Sequence, residues 1–356
     1  MKEISREQDS DLYKIEANPS EGWPHVLMVS NHWGAKKTII PYAGVFVDSQ
    51  LESLRTAGVK ISTFDIGTSH SPIQLLWKWV SLRRQVKRLN PDLVHSQFGT
   101  IVAIMGAFAG KPFVVSFTGP DLLTGAPVSG IRIGIGRGLS NLAALRASGI
   151  ICKSEGLRQA LWWRKKTAVV IPNGVDCNLF SPGSQQEARI KLGWDLTCPI
   201  IIIYVRNIPK SKGLDIAEAA LKIVHLSLPT VELQVIANVP HDTMPLHYRA
   251  ADVLLCTSKY PEGSPNVIKE ALACNLPVVS VPVGDATERL IGVHPSTVVP
   301  RDEKIIAKAL IDILKERKRS NGRDYVGHLS LDQVARRVID VYHLALGIEL
   351  GNKVGE

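Results

Sequence analysis

The chain is short of several things, and each shortage removes a class of explanation. Its 356 residues hold five cysteines, Cys152, Cys177, Cys198, Cys256 and Cys274, odd in number and widely scattered. That spacing builds neither a zinc site nor a disulfide framework, so they read as reduced, mostly buried thiols. No apolar core of a signal peptide follows the charged start Met1 to Asp11, and no run approaches the length needed to span a bilayer. A cytoplasmic protein is therefore expected. Beyond that charged lead-in there is no Asp-x-Asp pair, so no metal is expected. Zinc fingers, basic helical arms and aromatic-basic platforms are missing too, which ranks nucleic acid last among partners. No close internal repeat is present.

What remains is ordinary globular material, with 45% hydrophobic and 21% charged residues. The length suits two domains, each able to bury a core. A net charge of +9 favours anionic partners, whether phosphorylated small molecules, anionic lipid or nucleic acid, without choosing among them.

Strand and helix signals alternate along both halves. His25 to Ser30, Val59 to Phe64, Pro91 to Phe98 and Pro112 to Phe117 read as strands of a first sheet, and Gly149 to Leu157 as a further strand followed by a helix start. Pro199 to Val205, Val231 to Ile236, Ala251 to Ser258 and Pro277 to Val281 read as strands of a second. The apolar run Ile200-Ile201-Ile202-Ile203 is what a parallel strand covered on both faces needs. In such sheets ligands bind at the C-terminal strand ends.

The stretch Lys259 to Glu270 joins a strand to a helix through a turn suited to an anion. Ser264 is expected to cap that helix and Pro265 to occupy its first position, leaving the following amides free for a phosphate. Glu262 and Glu270 would repel a bare phosphate, so they are expected to accept hydrogen bonds from hydroxyls on either side of it. Glu270 lies about 8 Å along the helix axis, at about 1.5 Å per residue. That offset suits a nucleoside diphosphate sugar, with ribose at one end and transferable sugar at the other. Two solvated glutamates are the competing reading. Upstream, Arg206 and Lys212 sit in a basic loop after a buried strand, where the first can grip phosphate bidentately and the second adds a point charge.

Glu262-Gly263-Ser264-Pro265-Asn266-Val267-Ile268-Lys269-Glu270, followed by Ala271-Leu272-Ala273 and Leu276-Pro277-Val278-Val279, resembles the two-glutamate motif of the retaining glycosyltransferases of family four. The similarity extends over nearly the whole chain, and Val169 to Asp176 resembles the family's interdomain linker. The resemblance implies an α/β GT-B fold, two doubly wound Rossmann-like domains facing across a cleft. Residues 1–176 would be the acceptor-side domain, 177–330 the nucleotide-sugar domain, and 331–356 a helix packing back toward the first. It implies that Arg206 and Lys212 bind the diphosphate and neutralise the leaving group, with Glu262 on the sugar hydroxyls and Glu270 on the ribose. The amides of Gly263, Ser264, Asn266 and Val267, around Pro265, would hold a phosphate. Gly34 and Gly44 would belong to a loop over the donor, unless they only permit tight turns. Many relatives carry histidine where Thr118 stands, so His95, Thr118 and Asp121 are the first-half cleft candidates. A lone histidine such as His95 is more often structural.

The activity implied is metal-independent, retaining hexosyl transfer in cell-surface polysaccharide or glycolipid synthesis. It needs no cofactor beyond the nucleoside diphosphate sugar as co-substrate, and its acceptor is a sugar or lipid-linked. The alternatives are a GT-B sugar-nucleotide epimerase and a non-catalytic nucleotide-sugar-binding partner protein. Residues 72–90 form a basic amphipathic helix with Trp77 that either lies on an anionic membrane at its inner face or covers the sheet. Trp162-Trp163-Arg164-Lys165-Lys166 is a second segment of that kind.

Overall fold

Burial of Ile200 to Ile203 on both faces shows how this sequence builds its layers. The computed structural model describes residues 23–31, 45–67, 71–123, 130–206 and 209–348; Gly34 and Gly44 lie outside them. The first half runs β1 (His25–Ser30), α1 (Val45–Thr56), β2 (Lys60–Asp65), α2 (Pro72–Leu89), β3 (Leu93–Gln97), α3 (Thr100–Ala107), β4 (Phe113–Phe117), α4 (Gly130–Arg146), β5 (Gly149–Cys152), α5 (Glu155–Ala160) and β6 (Ala168–Val170). Its strands pair in parallel in the order β2-β1-β3-β4-β5-β6.

The second half begins with α6 (Gln185–Leu192), β7 (Ile200–Tyr204), α7 (Pro209–Lys212), α8 (Leu214–Val224), β8 (Glu232–Ile236), α9 (Met244–Ala250) and β9 (Val253–Cys256). It continues through α10 (Asn266–Ala273), β10 (Val278–Ser280), α11 (Ala286–Arg289), β11 (Thr297–Val298) and α12 (Glu303–Glu316), and the chain closes with α13 (Leu331–Leu346). The second sheet is also parallel, ordered β11-β10-β9-β7-β8. These are two Rossmann-like α/β units.

Three buried clusters hold the layers. One fills the second unit around β7, β9 and β10. Another lies between the first sheet and α2, α3 and α4. The third joins Val26 and Met28 of β1 and Leu51 and Leu54 of α1 to Val334, Val338 and Tyr342 of α13. Thus α13 covers the first sheet although its chain leaves the second unit. Hydrophobic burial is the driving term, about 25 cal/mol per Å² of apolar surface. Every strand in both sheets advances through a helix, so all C-terminal strand ends of one unit point the same way. The two sets of ends face each other and define the cleft.

Candidate active site

A cavity of about 390 Å³ opens between the two sets of strand ends. The first unit contributes Phe46, Phe98, Thr118, Pro120 and Asn173 to its wall, and the second contributes Tyr204, Arg206, Lys212, His241, the segment Glu262 to Val267, and Glu270. The two units touch at this point, because a side chain added at Gly263 would run into the Thr118 carbonyl.

Arg206 follows the buried strand β7 and sits in the left-handed region, φ 52°. A side chain held there carries strain of order 1 kcal/mol, which surrounding structure must offset. Among the described residues its guanidinium has no partner, so its donors remain available to the cavity. Lys212 closes α7, and its carbonyl accepts a hydrogen bond from the Thr257 hydroxyl at 2.9 Å, while the Lys259 amide donates to the Ser211 carbonyl at 2.8 Å. Gly213 next to it has φ 73° and lies so close to the Thr257 carbonyl that no other residue fits. This packing fixes where Lys212 emerges. Its Nζ lies 2.6 Å from Glu262 Oε1, and both side chains remain partly exposed to the cavity.

The start of α10 differs from expectation. Pro265, extended at φ −62° and ψ 116°, is the cap position, and Asn266 is the first helical residue. Ser264 does not cap. Its hydroxyl donates to Asp285 Oδ2 at 2.9 Å and accepts from Lys269 Nζ at 2.8 Å, so a buried polar network turns it away from the helix end. Lys269 also donates to the Asn173 carbonyl at 2.9 Å. Burial pulls the Lys269 amine down to about 8 against the opposing pull of Asp285, and burial pushes the Asp285 carboxyl up. Since proline has no N–H, the amides free at this end begin with those of Asn266 and Val267, with the helix dipole behind them.

Glu270 is held at both oxygens. The Tyr248 hydroxyl donates to Oε2 at 2.9 Å, and His241 Nε2 lies 2.9 Å from Oε1. His241 also meets Phe180 edge-on at 5.1 Å between centroids. Burial opposes its protonation, but the hydrogen bond and charge of Glu270, with Asp242 and Asp176, raise its pKa overall. Neither His241 nor Tyr248 stands out in the sequence; the only local signal is a polar ring just before and within the short helix α9.

Against expectation, two of the first-half cleft candidates, His95 and Asp121, do not line the cavity. His95 is fully buried between Tyr342 Oη (2.7 Å from Nδ1) and Ser116 Oγ (2.8 Å from Nε2). Burial first, then Lys153, drives its pKa down to about 3, so it is a neutral structural ring beneath α13. Asp121 turns back on its own loop and accepts from the amides of Gly99 (2.9 Å), Thr118 (3.0 Å) and Gly119 (2.7 Å). Burial raises its pKa against those hydrogen bonds. Thr118 alone of the three lines the cavity.

Residues 213–316 match the family model described as glycosyl transferases group 1, and residues 43–179 match that of glycosyltransferase family 4. The chain belongs to this glycosyltransferase family. A Bacillus subtilis glycosyltransferase assigned to teichuronic acid biosynthesis, TuaC, is 22% identical over 335 residues, spanning 76% of this chain and 84% of its own. Among solved structures, sucrose-phosphate synthase from Thermosynechococcus elongatus superposes with a TM-score of 0.71 at 17% identity, covering 92% of this chain and all of that one. Anabaena HepE in complex with UDP and glucose superposes at 0.67, also 17% identical, covering 89% of this chain and 98% of its own. These structural likenesses establish the GT-B fold.

Proposed function

We propose that the cleft moves a hexosyl group from a nucleoside diphosphate sugar to an acceptor hydroxyl, with retention of configuration and without a metal. The observation that carries this reading is the convergence of Arg206, Lys212, the α10 amide end, Glu262 and Glu270 on one cavity. Arg206 and Lys212 lie where charge develops on the departing diphosphate, the place where fixed electrostatics lower a barrier most. Asn266 and Val267 offer amides to a phosphate. Glu262, neutralised by Lys212, accepts from sugar hydroxyls, and Glu270, oriented by Tyr248 and His241, accepts from the ribose. The two glutamates are the only carboxylates among the described cavity residues, and both are paired in these roles. That supports attack from the leaving-group face over a covalent double displacement.

The acceptor is a sugar or lipid-linked sugar, in synthesis of a cell-surface polysaccharide or glycolipid, a setting supported by similarity to TuaC. The working location is the cytoplasm, on the inner face of the membrane. Among the described residues no helix is long and apolar enough to cross it.

Arg206→Ala and Glu270→Ala are expected to abolish donor binding or turnover while the fold persists. Thermal shift against nucleoside diphosphates and their sugars reads the first, because a ligand at about 100 times its Kd stabilises by about 2.7 kcal/mol. Nucleoside diphosphate released only with acceptor present separates transfer from epimerisation. Wild-type behaviour of both variants would falsify the assignment.

A further inference from the structure

The helices α2, α3 and α4 lie side by side over one face of the first sheet, and together they carry no aspartate or glutamate. They carry eight cations: Lys78, Arg83, Arg84, Lys87 and Arg88 on α2, and Arg132, Arg137 and Arg146 on α4. The same face leaves large apolar side chains in water. Ile73 is 69% exposed, Trp77 62%, Ile131 79% and Ile135 60%. These four lie in the first two turns of α2 and α4, which start just beyond the C-terminal strand ends, so the patch borders the cleft. Between the helices runs an apolar groove of about 370 Å³ lined by Leu75, Leu76, Trp79, Ile104, Phe108 and Leu139. Its aromatic walls are topped by cations, with Arg83 5.2 Å from the Trp79 ring and Arg146 4.8 Å from Phe108.

A soluble cover helix needs only its inner face apolar, as Leu82 and Val86 of α2 supply. The outward apolar residues need another partner. A second copy of this chain on the same face would set eight cations against eight. An anionic bilayer satisfies both features, taking the apolar residues at headgroup depth and the cations among phosphates.

We propose that the α2–α3–α4 face docks the protein on an anionic phospholipid bilayer, with one acyl chain entering the groove. This rests on the reading of the cleft as a transferase acting on a membrane-borne acceptor, and it extends the docking surface beyond residues 72–90 to α4. Docking there brings the acceptor rim of the cleft down to the surface.

The test is sedimentation of the full chain with vesicles of phosphatidylcholine alone or mixed with phosphatidylglycerol. Wild type is expected to sediment only with the anionic vesicles and to be released by salt. Reversing two charges in the double variant Arg83→Glu/Arg84→Glu lowers binding at least about tenfold. The exposed variants Leu76→Glu and Ile131→Ser weaken it by a similar factor without disturbing the core. Equal binding to neutral vesicles, no binding at low salt, or an unaltered Leu76→Glu each overturns the proposal. So does salt-resistant self-association of the wild type through Ile131. Thermal shift by nucleoside diphosphates, run on the same samples, reports the cleft separately, so failure of the wild type to dock while its donor binding is intact refutes this inference alone.

Discussion

The contact between the two units at Gly263 allows a sharp test of closure. A Cβ placed on Gly263 stands 2.9 Å from the Thr118 carbonyl carbon and 3.0 Å from Leu157 Cδ1, with the carbonyl oxygen closer still. Carbon atoms in contact prefer about 3.5 Å or more. The carbon alone therefore demands a retreat of about 0.6 Å (3.5 − 2.9), and the oxygen demands more. The obstacle is backbone and cannot swing aside like a side chain. Gly263 does not sit at positive φ, so Gly263→Ala introduces the clash without backbone strain.

A misplacement near 1 Å between reacting groups costs on the order of 100-fold in rate, equivalent to about 2.7 kcal/mol of barrier. The expected result is turnover reduced about 100-fold, with nucleoside diphosphate affinity within a few-fold of wild type, since Arg206, Lys212 and Glu270 all belong to the second unit. Steady-state kinetics and calorimetric titration of the diphosphate check the two halves of that statement. Gly138→Ala, where an added Cβ meets nothing within 4 Å, is the control. Turnover of Gly263→Ala within threefold of wild type would show that the units do not meet here in the working complex.

Two further outcomes follow from buried groups. Lys269→Met leaves the Ser264 hydroxyl and the Asn173 carbonyl short of a donor and takes a cation from beside Asp285, and breaking such a buried charged network costs about 3 kcal/mol or more, read by denaturant titration. His95 is neutral in the fold, with its pKa held down to about 3, while the unfolded chain protonates it near 6.5. The unfolded state therefore binds the extra proton between those values, and stability falls as pH drops from about 6.5 toward 3, by up to about 1.4 kcal/mol per pH unit. His95→Gln should flatten that slope even if it lowers stability at neutral pH; an unchanged slope refutes the buried-neutral assignment.

Much of the architecture was legible because strands such as Ile200–Tyr204 are apolar runs punctuated by Pro, Gly and polar ends, signals that depend on neighbours in sequence. The grouping of these residues on one cavity was legible for the same reason, since Glu262 to Glu270 is contiguous and Arg206 and Lys212 follow one strand end. What escaped depends on distant partners. Ser264 reads as a helix cap until Asp285 and Lys269 claim its hydroxyl. Glu270 reads as free until Tyr248 and His241, 22 and 29 residues upstream, hold it. His95 stands in a strand that ends at the cleft, yet its ring is taken by Tyr342, 247 residues away on α13. The resemblance implies a helix returning from the other unit, but no local pattern announces that its Tyr342 takes the His95 ring.

That returning helix also constrains how the units can move. The chain passes between them twice, and the two passes lie together: the Val175 amide donates to the Leu329 carbonyl at 2.9 Å, and the Leu331 amide donates to the Val175 carbonyl at 3.1 Å. Gly174 beside them is packed against Leu331, where an added Cβ would meet the Leu331 Cα at 3.1 Å. A paired, closely packed crossing favours rotation about one line over free separation. Lys269 ties α10 to that line through the Asn173 carbonyl. Across the cleft from it, the approach of Thr118 to Gly263 is made by backbone. The first unit therefore brings a backbone stop for closure, while the second carries the charged groups of the cavity, Arg206, Lys212, Glu262 and Glu270. Thr118 in place of histidine leaves that stop intact, and the cations proposed to stabilise the departing diphosphate, Arg206 and Lys212, both stand on the other side of it.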